Sequence, residues 1–181
     1  KDMALTKLNT KGLADNAVTS AKINSAVATD YATVASDQQV QTVTAIMPKT
    51  IIAITTDADA ATGLYCDITP KLSGSKIVLQ LGGGQQTYGD GGRDMVASYY
   101  GSFPSTATPT FLKYLGGAHQ NSTYHLSWSG LWIHSPTYTV GQTLRYYIYC
   151  RNRGGSGTVY FHYNTGGIAG DIGFTVTEIK A

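Results

Sequence analysis

From Met47 to the end of the chain, apolar and polar residues alternate with a period of two, in short runs punctuated by Gly, Pro, Asn and Asp. A period of two places successive side chains on opposite faces of an extended backbone, so each run predicts a β-strand with one face toward a core. The runs are TIIAITT (50–56), GLYCDIT (63–69), KIVLQLG (76–82), DMVASYYG (94–101), TFLKYL (110–115), YHLSWSGLWIH (124–134), TLRYYIYCRN (143–152), TVYFHY (158–163) and DIGFTVTEI (171–179). The seventh is the clearest. It carries Leu144, Tyr146, Ile148 and Cys150 on one face and Arg145, Tyr147, Tyr149 and Arg151 on the other. Eight or nine such strands at intervals of about ten residues predict an all-β, antiparallel β-sandwich, most simply a jelly roll.

Residues 1–46 read differently. Tyr31 is their one aromatic, the apolar positions are small or β-branched, and NAVTSAKIN (16–24) is followed by the weakly similar SAVATDYAT (25–33). A single copy of such a segment buries too little surface to offset its ordering entropy, and alone it is a disordered linker. Alternatively several identical copies wrap around a common axis, where small residues allow close approach. Val18 and Val27 are then the candidates for that axis. The division expected is a shaft or linker over 1–46 and a sandwich head over 47–181.

Composition narrows the partners. Charged residues make up 13% of the 181, and the net charge is +2, so the clustered Lys/Arg footprint that binds phosphate backbones is absent and nucleic acid is excluded. No apolar run approaches the roughly 20 residues needed to span a bilayer, so membrane insertion is not expected. The chain opens on Lys1 without a signal-peptide core and closes on GFTVTEIKA, which reads as a processed product or fragment ending in a strand. Gly (21) and Tyr (13) are enriched. Tyr-rich strand faces such as RYYIYCR and VYFHY are unusual for a monomer, because aromatics and Arg are concentrated in interface cores. Tyr147, Tyr149, Tyr160 and His162 are therefore candidates for a subunit interface, unless some of these rings complete the domain's own core.

Chemistry-bearing motifs are few. Cys66 and Cys150 both fall on apolar strand phases, which predicts buried free thiols, with a single bridge as the alternative. DADAATG (57–63) opens like a calcium loop but lacks the later ligands. The Gly-rich stretch at 81–94 contains no phosphate-loop signature. The scattered acids of the head and the lack of a nucleophile elbow argue against catalysis. His162 would hold a metal only if a threefold axis brought three copies together; neither metal nor cofactor is expected. Trp128 and Trp132 share a strand phase with Leu126 and His134, which predicts core packing, with sugar stacking or subunit contact as the alternative.

Two features together carry a family resemblance. GLADNAVTSAKI (12–23) resembles the short repeated units of bacteriophage tail-fibre shafts. ITPKLSGSKIVLQLGG (68–83) looks like a strand-turn-strand signature of small distal domains of those fibres, and HSPTYTVGQTLRYYIYCRNRGGSGTVYFHYN (134–164) is similar to their later strands. The resemblance implies a parallel homotrimer with an extended N-terminal shaft segment, a virion location at the fibre tip, and a distal end that binds the host surface. It does not extend over residues 83–125, where tip loops differ in receptor choice.

The receptor is therefore argued from side-chain chemistry. Sugars offer hydroxyls and apolar ring faces, so their sites combine flat aromatics with Asn, Asp, Gln, Arg and His at little cost in charge. QQTYGDGGRD (85–94) and GGAHQNSTYH (116–125) supply that mixture. Tyr88 and Tyr124 are the platform candidates, with Asp90, Arg93, His119, Gln120 and Asn121 as polar contacts. The expectation is a non-enzymatic receptor-binding domain whose partners are two further copies of itself and a host glycan such as lipopolysaccharide, or an outer-membrane protein. The alternatives are a structural trimerisation or collar module and, less favoured, a polysaccharide depolymerase.

Overall fold

The computed structural model describes residues 39–47, 52–83, 93–120, 129–153, 157–161 and 171–181, with the backbone alone for 93–94 and 118–120. The chain divides into two units, Lys1–Gln38 and Gln39–Ala181, and all of the described residues belong to the second. They form ten strands and no helix: β1 (Gln39–Met47), β2 (Ile52–Ile54), β3 (Ala60–Ile68), β4 (Lys76–Gly83), β5 (Arg93–Ser102), β6 (Thr110–Gln120), β7 (Gly130–His134), β8 (Leu144–Arg153), β9 (Val159–Phe161) and β10 (Ile172–Ile179). Each of the nine expected runs overlaps one of these strands. The tenth, β1, starts the sandwich at Gln39, ahead of the compositional step at 46–47 that marks the expected division.

The strands pair into two four-stranded antiparallel sheets, ordered β1-β10-β4-β7 and β3-β8-β5-β6, with β2 and β9 as a short separate pair. One face of each large sheet is apolar and buried, and these two faces supply a common core. Ile77, Leu79 and Leu81 of β4 and Ile172, Phe174 and Val176 of β10 meet Leu64, Cys66 and Ile68 of β3 and Leu144, Tyr146, Ile148 and Cys150 of β8. Tyr99 of β5 bridges the sheets, with its ring 6.0 Å from Phe174 and 6.1 Å from Trp132, both nearly parallel. Trp132 thus packs against the core, as its strand phase predicts. Truncating a fully buried ring such as Phe174 would cost about 3–5 kcal/mol, because the close-packed surround collapses only partly.

The two ends of the sandwich are distinct. At one end lie Gln39, where the chain enters β1, its ladder partner Ile179, and Lys76 at the start of β4. Here residue Glu178, fully buried on the core phase of β10, accepts hydrogen bonds from the backbone N–H of Lys71 at 3.0 Å and Leu72 at 3.1 Å. The Ser75 hydroxyl and the Gln41 amide, each at 2.7 Å, complete its shell. One carboxylate so organises the β3–β4 turn, which is the turn inside ITPKLSGSKI. At the other end Met47, Ile172, Gly83 and Gly130 close one sheet, and Arg93, Gln120 and Arg153 close the other.

Candidate functional site

Strand β8 forms the spine of the site. Its burial alternates strictly from Leu144 to Asn152, so Arg145, Tyr147, Tyr149 and Arg151 stand on the outer face of the β3-β8-β5-β6 sheet, as the period-two reading requires. Register then brings rings from the neighbouring strands into line. Tyr65 pairs with Tyr147, Tyr147 with Tyr100, and Tyr100 with Phe111, which makes one aromatic row across β3, β8, β5 and β6. With strands about 4.8 Å apart, the row spans roughly 14 Å. Tyr149, Ser98 and Tyr114 form the next row, and Asp67, Arg145 and Ser102 the row on the other side.

The rings touch in an unbroken path. Centroid separations are 6.0 Å for Tyr65 and Tyr147, 6.1 Å for Tyr147 and Tyr149, 4.1 Å for Tyr149 and Tyr100, 5.8 Å for Tyr100 and Phe111, and 4.7 Å for Phe111 and Tyr114. Offset and edge contacts of this kind are each favourable beyond the area that they cover. Tyr65, Phe111 and Tyr114 remain 45%, 45% and 51% exposed, so ring surface is open to solvent on β3 and β6.

Charges inside this face are matched locally. Arg145 donates through Nε and Nη2 to the two Asp67 oxygens, both at 2.6 Å, and its guanidinium lies 4.3 Å from the Tyr65 centroid. The Asp67 hydrogen bond holds the Arg145 pKa above its ordinary value. Arg151 sits 5.3 Å from the Tyr114 centroid, donates to the Tyr114 hydroxyl at 3.3 Å, and comes within 3.9 Å of Asp59. Asp59 accepts the Tyr100 hydroxyl at 2.6 Å. Burial, reinforced by Asp59, pushes the Tyr100 pKa up, and burial does the same for Tyr149, so both rings stay neutral.

The structure treats the other candidates as follows. The ladder pairs Arg93 with Gln120 and Asp94 with His119, so the strands that bracket residues 84–92 and 121–128 end side by side. Three of the proposed polar contacts, Arg93, His119 and Gln120, are thereby brought to one end of one strand pair. Tyr88, Asp90, Asn121 and Tyr124 lie outside the described residues, as do Val18, Val27, His162 and Trp128. Tyr147 and Tyr149 occupy the middle of the aromatic face, and Tyr160 is half-buried in β9 opposite Ala53.

Cys66 and Cys150 are free and buried. Among the described residues no three His, Cys, Asp or Glu side chains come together as a metal site. Asp59, from the calcium-like DADAATG, is occupied by Tyr100 instead. No helix among these residues is long and apolar enough to cross a membrane.

Sequence reasoning did not single out Tyr65, Tyr100, Phe111, Tyr114 and Asp59 as a group. The paired tyrosines of SYYG and the alternation of FLKYL signal aromatic strand faces. That they share one face depends on register between strands far apart in sequence, which no local pattern contains. No protein-family model matches the chain, and no curated protein matches it.

Proposed function

We propose that this chain is a distal, receptor-binding module of a bacteriophage tail fibre, non-enzymatic and assembled as a parallel homotrimer. The observation that carries the reading is the polarity of the sandwich. The chain enters β1 at Gln39 at one end, while the strand ends that join Arg93 to Gln120 and Asp94 to His119 lie at the other. Residues 1–38 join the sandwich at Gln39, whereas the polar and aromatic loop sequences 84–92 and 121–128 adjoin strand ends at the opposite end.

Three further observations support it. The sheet orders β1-β10-β4-β7 and β3-β8-β5-β6 suit a jelly roll of eight principal strands, an architecture used in virion proteins. The head's buried or paired acids serve structure: Glu178 holds a turn, Asp67 holds Arg145, and Asp59 holds Tyr100, so a binding role suits them better than hydrolysis. The shaft-like GLADNAVTSAKI and the small residues around Val18 and Val27 suit close approach at a threefold axis. Three weak sites on one tip then gain avidity while each contact stays reversible.

Light scattering on the purified chain, paired with fluorescence of labelled chain on a panel of bacterial strains, tests the reading. A particle of three times the 19.2 kDa chain mass that binds some strains and blocks phage adsorption to them is the expected result. A trimer that binds no strain would make the chain a structural module. A monomer that binds none would overturn the proposal.

A further inference from the structure

We propose that the outer face of the β3-β8-β5-β6 sheet is a lateral binding site for an uncharged saccharide chain, laid across the row of Tyr65, Tyr147, Tyr100 and Phe111. The proposal names a ligand class for the receptor-binding reading and rests on that reading for its setting, while its chemistry comes from this face alone.

The shape fits an extended polymer. The four residues are Cα partners in one ladder row across strands about 4.8 Å apart, and ring centroids at its two ends stand 6.0 Å (Tyr65–Tyr147) and 5.8 Å (Tyr100–Phe111) apart, so successive strands offer successive ring surfaces to an extended chain of sugars. Ring surface is open at both flanks of the sheet, at Tyr65 on β3 and at Phe111 and Tyr114 on β6. At the β3 flank Tyr65 also borders a groove of about 510 Å³ together with Ile46, Met47, Ile52 and Leu64, which gives the flat row a concave end.

The electrostatics select a neutral ligand. Both arginines on this face of β8 stand near a carboxylate of the same chain, Arg145 with Asp67 at 2.6 Å and Arg151 with Asp59 at 3.9 Å. Among the described residues these pairs leave little net charge in the middle of the face, and Lys113, exposed on β6 between Phe111 and Tyr114, adds a cation only at its edge. Apolar C–H faces of sugar rings match the tyrosine and phenylalanine planes, and the phenolic hydroxyls donate to or accept from sugar hydroxyls. A second copy of the chain fits less well. Aromatics and Arg do occur in interface cores, but homomeric cores are also more apolar than ordinary surface, and among the described residues the most exposed aliphatic side chains, Leu131 at 65% and Ile46 at 64%, belong to strands of the other sheet. The two aromatic rows contain no Leu, Ile, Val or Met.

The test uses the full chain on an array of neutral oligosaccharides (glucans, mannans, galactans and rhamnans) and uronic-acid oligosaccharides. Tyr65→Ala, Phe111→Ala and Tyr114→Ala are measured beside the wild type, together with a Tyr88→Ala/Tyr124→Ala loop variant. Light scattering and circular dichroism are run on every sample. The expected result is binding to a neutral glycan that weakens roughly tenfold for each ring lost, the size expected from uncovering part of a buried aromatic. Leu131→Ala, exposed on β7 of the other sheet, should bind unchanged, and Tyr114→Phe, which keeps the ring, should retain binding even if Tyr114→Ala fails to fold. Binding that only the loop variant loses would overturn the lateral site and leave the receptor-binding reading in place. Ring variants that lower the oligomer mass would show the face to be a subunit interface and overturn the proposal. Binding to acidic glycans alone, or to none, would overturn it as well, with adsorption blocking then still deciding the receptor-binding reading.

Discussion

The Ser75 hydroxyl donates to Glu178 Oε1 at 2.7 Å across a separation of 103 residues, and this contact fastens the β3–β4 turn to the last strand. Burial by itself would raise the Glu178 pKa. The N–H groups of Lys71 and Leu72, the Ser75 hydroxyl and the Gln41 amide all favour the anion and hold it below its usual value. The folded pKa is therefore the lower one, so the carboxylate's contribution is full above the unfolded pKa of about 4.3 and fades as pH falls through the folded value. Glu178→Gln turns an acceptor into a partial donor facing N–H groups, and should cost about 3 kcal/mol at neutral pH. Urea midpoints of the two proteins should converge as pH falls below about 4. A gap that stays constant over that range would contradict the account.

Gly83 ends β4 with φ at +85°, and a Cβ there would stand 2.6 Å from the Asp171 carbonyl oxygen. Backbone is on both sides of that contact, so nothing cheap can give way. Gly74, in the β3–β4 turn, has φ at +73° with open space around it. Gly74→Ala should therefore cost only the conformational penalty of about 1 kcal/mol. Gly83→Ala adds the clash and should cost at least about 2 kcal/mol more. Thermal unfolding of the two variants side by side measures the difference.

The sandwich was legible wherever burial follows a local alternation. The strand over 144–153 could be divided into two faces residue by residue because one face is apolar and the other is Arg and Tyr. QVQTVTAIM, which forms β1, reads in the sequence as part of the preceding segment. Its Thr, Val and Ala match the shaft composition, and its inward phase of Val43, Ala45 and Met47 carries no aromatic. The candidate face was legible only in pieces. Tyr147 was visible as an outward ring, but its neighbours Tyr65 and Tyr100 are set by pairing across long stretches of chain. The buried role of Glu178 was invisible for a related reason. A lone acid on an apolar phase contradicts the strand pattern until the turn that it binds is known.

Cys66 lies on the core side of β3 and donates its thiol toward the Val43 carbonyl at 3.5 Å. Burial, with Asp67 adding to it, pushes its pKa up to about 11, and burial lifts that of Cys150 as well. The reactive thiolate is thus scarce at both sites and the approach is closed. Neither residue should react with iodoacetamide over hours at about pH 8 in the native protein, and both should react in denaturant. Added reductant should leave the unfolding midpoint unchanged. A native mass two hydrogens short, restored by reductant, would show a bridge instead.

Tyr100 is the residue through which the aromatic face and the Asp59 loop are joined. Its ring stacks on Tyr149 at 4.1 Å while its hydroxyl donates to Asp59 Oδ2 at 2.6 Å. Among the described residues Asp59 Oδ1 has no hydrogen-bond partner, and neither has Arg151 Nε, which stands 3.9 Å away. Tyr100→Phe keeps the stack and removes the hydrogen bond that this part-buried carboxylate makes among the described residues, so it should cost about 1–2 kcal/mol. In the variant, closing the gap to Arg151 offers Asp59 its nearest replacement. Arg151→Ala should therefore be more damaging in the Tyr100→Phe background than in the wild type, and a double-mutant cycle measures that excess as a coupling of about 0.5–1 kcal/mol. Additive costs would mean that Asp59 turns to water instead, and that the aromatic face is held by ring packing without help from the Asp59 loop.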